Sequence, residues 1–152
     1  GGYSMFEKFR EHWYGHLKNG RINEEEYISA TFPQHYRTVE EFCRPFSGSN
    51  SSIEKAGLRL NSCSTRLTKC PYRENYENKK NTMTPSQYAK SLIPTMRSWS
   101  ETVFRTALAG RDPGNIDQIV DSFYGNYENE VTCNPEGHAM DYIHIVMEIE
   151  KI

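Results

Sequence analysis

The absences in this chain of 152 residues narrow its chemistry before anything present does. No apolar run approaches the roughly 20 residues that span a bilayer, and no signal peptide is visible, so no membrane association is predicted. Its glycines are scattered, without a G-x-G-x-x-G or a Walker loop, and neither H-E-x-x-H nor G-x-S-x-G occurs. Cys43, Cys63, Cys70 and Cys133 lack C-x-x-C pairing and lack histidines at ligand spacing. That pattern argues against a zinc site and for free thiols in a reducing, cytoplasmic compartment. Charge of one sign is lacking too: 18 basic and 20 acidic residues are interspersed, which leaves no electrostatic footprint for nucleic acid or an anionic membrane. Gly1 and Gly2 read as a cloning remnant or as a cut inside a longer chain. Asn50-Ser51-Ser52 matches a glycosylation acceptor, which without a secretory signal means only a polar turn.

Rings are what the chain does hold. Hydrophobic residues make up only 36% of it, whereas ten Tyr, seven Phe and two Trp bring aromatics to 12%, so large side chains must supply most of the buried area. The length fits a single domain or fragment over residues 1–152, with cap helices at about 4–46 and 84–131 and two strands at about 57–70 and 141–151.

Helix signals are frequent. Ser4 and Glu7 form a capping box ahead of Phe6, Phe9, Trp13 and Leu17 at helical spacing, and Gly20 is placed to stop that helix. A short helix starts at Asn23, with Glu24, Glu25 and Glu26 near its positive end. Pro33 takes Phe32 out of helical geometry. Thr38 and Glu41 cap a further helix that Pro45 ends. Gly48–Ser52 reads as a loop and Pro71–Asn81 as irregular. Thr84-Pro85-Ser86-Gln87 opens a long helix with the stripe Leu92, Met96, Trp99, Val103 and Ala107, kinked at Pro94 and ended by Gly110. Asp112-Pro113 opens the last helix, with Ile116, Val120, Phe123, Tyr127 and Val131 inward.

Two strands are visible. Ala56–Cys70 alternates imperfectly. In Asp141–Lys151, Ile143, Ile145, Met147 and Ile149 form one apolar face, while Tyr142, His144 and Val146 open the other, which predicts cover on both sides there. A lone strand pair is marginally stable in water, so something must complete the sheet: a second copy, giving a homodimer, or a preceding half of the protein. The fold class is therefore α/β, or mixed α+β as a fragment, with one antiparallel strand pair packed by four or five helices.

Nothing in these residues alone specifies a reaction. Glu24–Glu26 and Glu40-Glu41 read as solvated helix starts rather than catalytic carboxylates. His12 and His16 are spaced i, i+4 without a third ligand in reach, the usual pattern of surface or amphipathic positions. Phe6, Phe9 and Trp13 read as core residues before pocket residues. Tyr142 and His144 share a strand face where buried polar tips would need a partner.

The order and spacing of segments resemble a known family. LKNGRINEEEYISATFPQHYRTVEEF (17–42) is similar to the segment after the fifth strand of the SABATH family of plant-type methyltransferases, through Gly20, Ile22, Glu25, Glu26, Phe32, Tyr36, Thr38, Glu40 and Glu41. Ala56–Leu60 resembles the family's sixth strand, Ala89–Phe104 its later cap helix, and DSFYGNYENEV with DYIHIVMEIEK its final helix and seventh strand. Nearly the whole chain is covered, and it matches the family's C-terminal half. The resemblance implies the helical cap and last antiparallel strands of a class I, Rossmann-like methyltransferase. Such an enzyme moves a methyl group from S-adenosylmethionine to the carboxylate of a small molecule such as salicylate, jasmonate or benzoate, and a subset methylates xanthine nitrogens. The cofactor residues lie on early strands that this chain lacks, so no S-adenosylmethionine ligand carries over, and the chain alone is expected to be inactive. The family's substrate-contacting tryptophan falls at Phe6, with Met5 beside it; its cap-helix methionine falls near Trp99 or Ser100, and its last-strand aromatic at Tyr142. Phe6 keeps an apolar wall and lacks an N–H donor. With His144 from its strand face, the expected substrate-binding set is Met5, Phe6, Trp99, Tyr142 and His144, with no catalytic base and no metal. A carboxylate is already ionised at neutral pH and needs alignment rather than deprotonation. The alternative from another class is a non-catalytic interaction module that completes its sheet by self-association.

Overall fold

A computed structural model describes residues 4–33, 35–48, 51–79 and 82–152. The described residues form a mixed α+β structure with seven α-helices and a two-stranded antiparallel sheet. They divide into two compact units, one of residues 1–32 and 70–140, the other of residues 33–69 and 141–152.

The first unit is helical. Its long members are α1 (Met5–Lys18), α6 (Pro85–Ala107) and α7 (Pro113–Cys133), joined by the shorter α2 (Glu24–Ser29) and α5 (Pro71–Asn78). Their starts follow cap chemistry closely. Ser4 Oγ accepts from Glu7 N, Asn23 and Thr84 each sit in reciprocated capping boxes, and Asp112 accepts from Asn115 N. After α1, Gly20 adopts φ +65°, a left-handed conformation that favours glycine, and α1 stops there.

Two expectations fail in α6, its end and part of its stripe. The helix ends at Ala107, before Gly110, and Pro94 lies inside it. Its buried stripe is Tyr88, Leu92, Met96, Ser100 and Phe104, stepping by four, rather than the drift to Trp99, Val103 and Ala107. Trp99 is 38% exposed. Ser100 can occupy the core stripe because its hydroxyl meets the Tyr124 hydroxyl at 2.6 Å and Met96 O at 2.6 Å. On α7 the inward residues are Ile119, Val120, Phe123, Tyr124, Tyr127 and Val131, with Ile116 only partly buried.

Residues 71–78 are helical, not irregular. Pro71 occupies the first turn, and Tyr72 and Tyr76 then share a face at i, i+4. Tyr76 stacks on Tyr88 at 4.7 Å, and the Thr95 hydroxyl donates to Tyr72 OH at 2.8 Å. This short helix is thus held by α6 rather than by its own polar sequence. Lys80 and Asn81, expected to be irregular, lie outside the described residues.

The second unit carries the sheet, β1 (Leu58–Thr68) paired antiparallel with β2 (Tyr142–Lys151), together with α3 (Val39–Cys43), a 3-10 turn (Arg44–Phe46) and α4 (Ser52–Lys55). Pro45 sits within the 3-10 turn, so the chain continues past it for one residue. Ser52, at the end of the expected Gly48–Ser52 loop, is instead the first residue of α4, which Ser51 Oγ starts by accepting from Glu54 N. Ser49 and Asn50, in the expected loop and glycosylation acceptor, lie outside the described residues.

β1 alternates imperfectly because it contains a bulge. The register shifts between Leu60 and Ser62, which moves the apolar positions from Leu58 and Leu60 to Cys63 and Leu67 while keeping them on one face. Asn61 is the extra residue, and its side-chain amide donates to Glu150 at 3.3 Å. Gly57, at φ +82°, lets the chain enter β1 and accept from Ile152 N at 2.9 Å. The expected cover on both faces of β2 is not observed: Ile143 is 74% exposed and Val146 40%.

Rings form the core of the first unit. Phe104 lies 4.2 Å from Phe123, 4.9 Å from Trp13 and 5.8 Å from Phe9, centroid to centroid, and joins α1, α6 and α7. Phe104→Ala is expected to destabilise the chain by about 3–5 kcal/mol, against about 1 kcal/mol for Thr84→Ala, which removes only a cap. Urea unfolding followed by circular dichroism measures both; a Phe104→Ala loss no larger than that of Thr84→Ala would show that this ring is not central.

Candidate functional site

A groove of about 310 Å³ opens on the first unit. α1 brings Phe6, Phe9, Arg10 and Trp13, whose spacing of three and four places them on one helix face. α2 adds Tyr27 and Ile28, the segment after it adds Ala30, Thr31 and Phe32, and α6 adds Phe104.

Phe32 depends on its neighbour. Pro33 disfavours helical geometry at residue 32, and the ring meets Phe6 at 5.5 Å, Phe104 at 5.7 Å and Phe9 in a stacked arrangement at 5.7 Å. α2 is anchored from a distance in sequence. Arg111 grips Glu26 through Nε (2.5 Å) and Nη2 (2.8 Å), and Glu26 also accepts from Asn23 N at 2.8 Å. The Arg111 guanidinium holds the Glu26 carboxyl below its ordinary range. Sequence reading missed this pair; its partners stand 85 residues apart, and no local pattern marks it.

Chemically, the groove has aromatic walls and little charge. Among the described residues no Asp, Glu or His lines it to serve as a general base, and Arg10 is the one charged residue that does. Such walls suit a flat apolar ligand.

Elsewhere on α1 lies a polar cluster. Glu130 of α7 accepts from Lys8 Nζ at 2.8 Å and contacts His12 Nε2 at 2.7 Å. Burial pushes the Glu130 carboxyl up, but Lys8 and His12 together leave it below its ordinary value. Burial lowers the pKa of His12 and of His138, favouring the neutral rings. The cluster ties α1 to α7 and is structural. Among the described residues, no group of three His, Cys, Asp or Glu could hold a metal.

Of the His12 and His16 pair, expected at surface or amphipathic positions, His16 is not on the surface. It is buried beside Trp13, ring centroids 5.9 Å apart, and Trp13 Nε1 and His16 Nε2 are buried without a hydrogen-bond partner among the described residues.

Of the expected substrate contacts, Phe6 and Trp99 come together at 6.2 Å, with Met5 partly buried against the same core. Phe6 lines the groove; Trp99 packs on Phe6, Phe9 and Phe32. Tyr142 and His144 belong to the second unit, where their rings lie 6.0 Å apart on exposed strand positions. Being exposed, their polar tips need no protein partner, which removes the physical reason for singling them out. Of the described residues that line the groove, only Phe6 was in the expected set; Phe9, Arg10, Trp13, Phe32 and Phe104 are among those it lacked, and the helical spacing of Phe6, Phe9 and Trp13 and the break at Pro33 were the available signals.

The second unit holds another hollow, of about 380 Å³, lined in part by Cys43, Phe46, Glu54 and Arg59. The Cys43 thiol, hydrogen-bonded to Cys63, raises the Cys63 pKa, so that thiol is not activated as a nucleophile. Arg59 is paired with Glu150 at 3.3 Å. With one aromatic wall residue and its cation engaged, this hollow is a weaker candidate than the groove. All four cysteines are free thiols. No helix among the described residues is long and apolar enough to cross a membrane.

No protein-family model matches the chain, and no curated protein matches it significantly.

Burial, followed by the Arg21 charge and His12, lowers the His16 pKa from 6.5 to about 4. The unfolded chain therefore takes up this proton first, so the contribution of neutral His16 is complete above pH 6.5 and is lost as pH falls toward 4. At pH 4.5 this amounts to about 2 kcal/mol. Urea midpoints measured from pH 7 to 4.5 should fall less steeply for His16→Phe than for the unmodified chain; parallel profiles would rule out this assignment.

Proposed function

We propose that the chain is the substrate-binding, cap-forming portion of an S-adenosylmethionine-dependent methyltransferase of the SABATH type that acts on the carboxylate of a small molecule. The observation that carries the reading is the groove itself. Among its rings, Phe32 lies in the stretch 17–42 that resembles the family and Phe6 falls at the position of the family's substrate-contacting tryptophan, and no Asp, Glu or His among the described residues lines it. A carboxylate nucleophile needs no base. What such a site must do is fix a flat acid, exclude water around it and hold one oxygen in line for transfer, which is catalysis by orientation. The antiparallel pairing of β1 with β2 is also the arrangement expected of the family's last two strands.

The methyl donor of this class is S-adenosylmethionine, and the described residues do not fit it. Nucleotide-type ligands of open α/β sheets bind beyond the carboxyl ends of parallel strands, at glycine-bearing turns into helices. Here the two strands are antiparallel, and β1 passes into α5 through Lys69, Cys70 and Pro71, without a glycine. On this reading the donor is held by another part of the enzyme, and this chain contributes acid binding alone.

The alternative, an interaction module that completes its sheet by self-association, draws support from the exposure of Ile143, Val146 and Ile149 on β2. Sedimentation equilibrium of the chain would favour that reading if a dimer formed and no methylation followed in the assay below.

The assay uses the product of the full reading frame that contains this chain, incubated with methyl-labelled S-adenosylmethionine and a panel of small carboxylic acids. Methyl ester formation is expected for at least one acid. Phe32→Ala, which removes a stacked wall of the groove, should lower kcat/KM about tenfold. A folded product that binds no S-adenosylmethionine and esterifies no acid would end the proposal.

A further inference from the structure

The arginines of the first unit divide into engaged and free. Arg21 donates to Ser122 Oγ at 2.7 Å, Arg73 to Glu77 and Pro135 O at 2.6 Å each, and Arg111 grips Glu26. Arg97 is paired with Glu101 at 2.5 Å and Asp121 at 2.7 Å, and Arg105 with Glu101 and with Asp117 at 2.8 Å. Among the described residues of this unit, Arg10 is the arginine engaged by no carboxylate, carbonyl or hydroxyl, and it is also the one that lines the aromatic groove.

Its position is set by the helix. Arg10 follows Phe6 by four residues and precedes Trp13 by three, so its aliphatic stem starts on the face that carries the ring wall. Among the described residues no acidic one lines the groove to neutralise it. A guanidinium presents a planar fork of donors that matches a carboxylate in two parallel hydrogen bonds.

We propose that Arg10 is the anion-positioning residue of this groove: it pairs with the carboxylate of a planar aromatic acid whose ring lies against Phe6, Phe9 and Phe32. The inference deepens the proposed function and rests on it for the identity of the ligand as a substrate. It differs from that reading in making recognition electrostatic, so that neutral aromatics of the same shape are rejected. An unpaired, solvated arginine is the ordinary alternative; a groove without acids, in a unit where the other arginines are all engaged, is what sets Arg10 apart.

The test needs no methyl donor. Calorimetric titration of the whole chain with 2-naphthoate and with its neutral isostere 2-naphthamide should show the acid binding about tenfold more tightly at low salt, with the difference shrinking as salt rises. Arg10→Leu should bring the two ligands to equal affinity, whereas Arg10→Lys keeps part of the preference. Arg21→Leu, which alters a cation off the groove, should leave the preference unchanged. Equal affinity for acid and amide in the unmodified chain, a preference that survives Arg10→Leu, or no binding of either ligand would overturn the assignment. Labelled methyl transfer by the full reading-frame product is scored separately. Ester formation without an Arg10 effect therefore overturns only this inference, whereas naphthoate binding without any ester overturns only the methyltransferase.

Discussion

The helical unit depends on one constraint: a chain poor in aliphatic residues has to make its interior from rings. Phe9 is the centre of that solution. Buried to 2% exposure, it meets Phe32, Phe104, Phe123 and Tyr127 within 6 Å and so joins α1 to α6, α7 and the segment after α2 at once. Rings bury much area per residue but pack only in tilted, stacked or edge-on arrangements, so each fixes the attitude of its neighbours. The same cluster reaches the surface at Phe6 and Phe32 and becomes the wall of the groove. Core and candidate site are one structure, which is why core and pocket readings of Phe6, Phe9 and Trp13 are not exclusive.

Polar interactions act at the margins of this cluster. Glu26 with Arg111 holds α2, and Glu130 with Lys8 and His12 ties α1 to α7. On the surface of α6 and α7, Arg97 and Arg105 share Glu101. These pairs are only partly buried, and each contributes less than a buried ring. Their role is to select among the orientations that the rings permit. With the other arginines of the unit engaged, Arg10 is, among the described residues, the one charged side chain that lines the groove.

The second unit follows a different logic. Its long strands are joined by a full ladder with one bulge, but short helices give them little cover, and Ile143, Leu67 and Ile149 remain exposed. A two-stranded sheet of this kind gains stability from further strands or from a packed layer. The resemblance to a methyltransferase half and the alternative of self-association both answer that same physical need.

Much of the local structure was legible in the residues. Thr38, Thr84, Asn23 and Asp112 announced helix starts because an N-cap is satisfied within three residues, and Gly20 announced a stop because few other residues take a positive φ. Helix α5 was not legible: Cys70 gives it no side-chain cap, and the face it needs is supplied by Tyr88 and Thr95 on α6. The bulge at Asn61 was visible only as broken alternation. In the candidate site, Phe6 was identifiable while Arg10 and Phe104 were not, because nothing local distinguishes an arginine beside a groove from one in solvent. By itself, then, the sequence determined the helices with strong caps, the two strand segments and the reliance on aromatic burial, all matters of nearest neighbours, periodicity and composition. Tertiary structure alone decided which face of α6 turned inward, where Glu26 found its cation and which rings were left lining a cavity, because those outcomes rest on contacts between residues far apart in the chain.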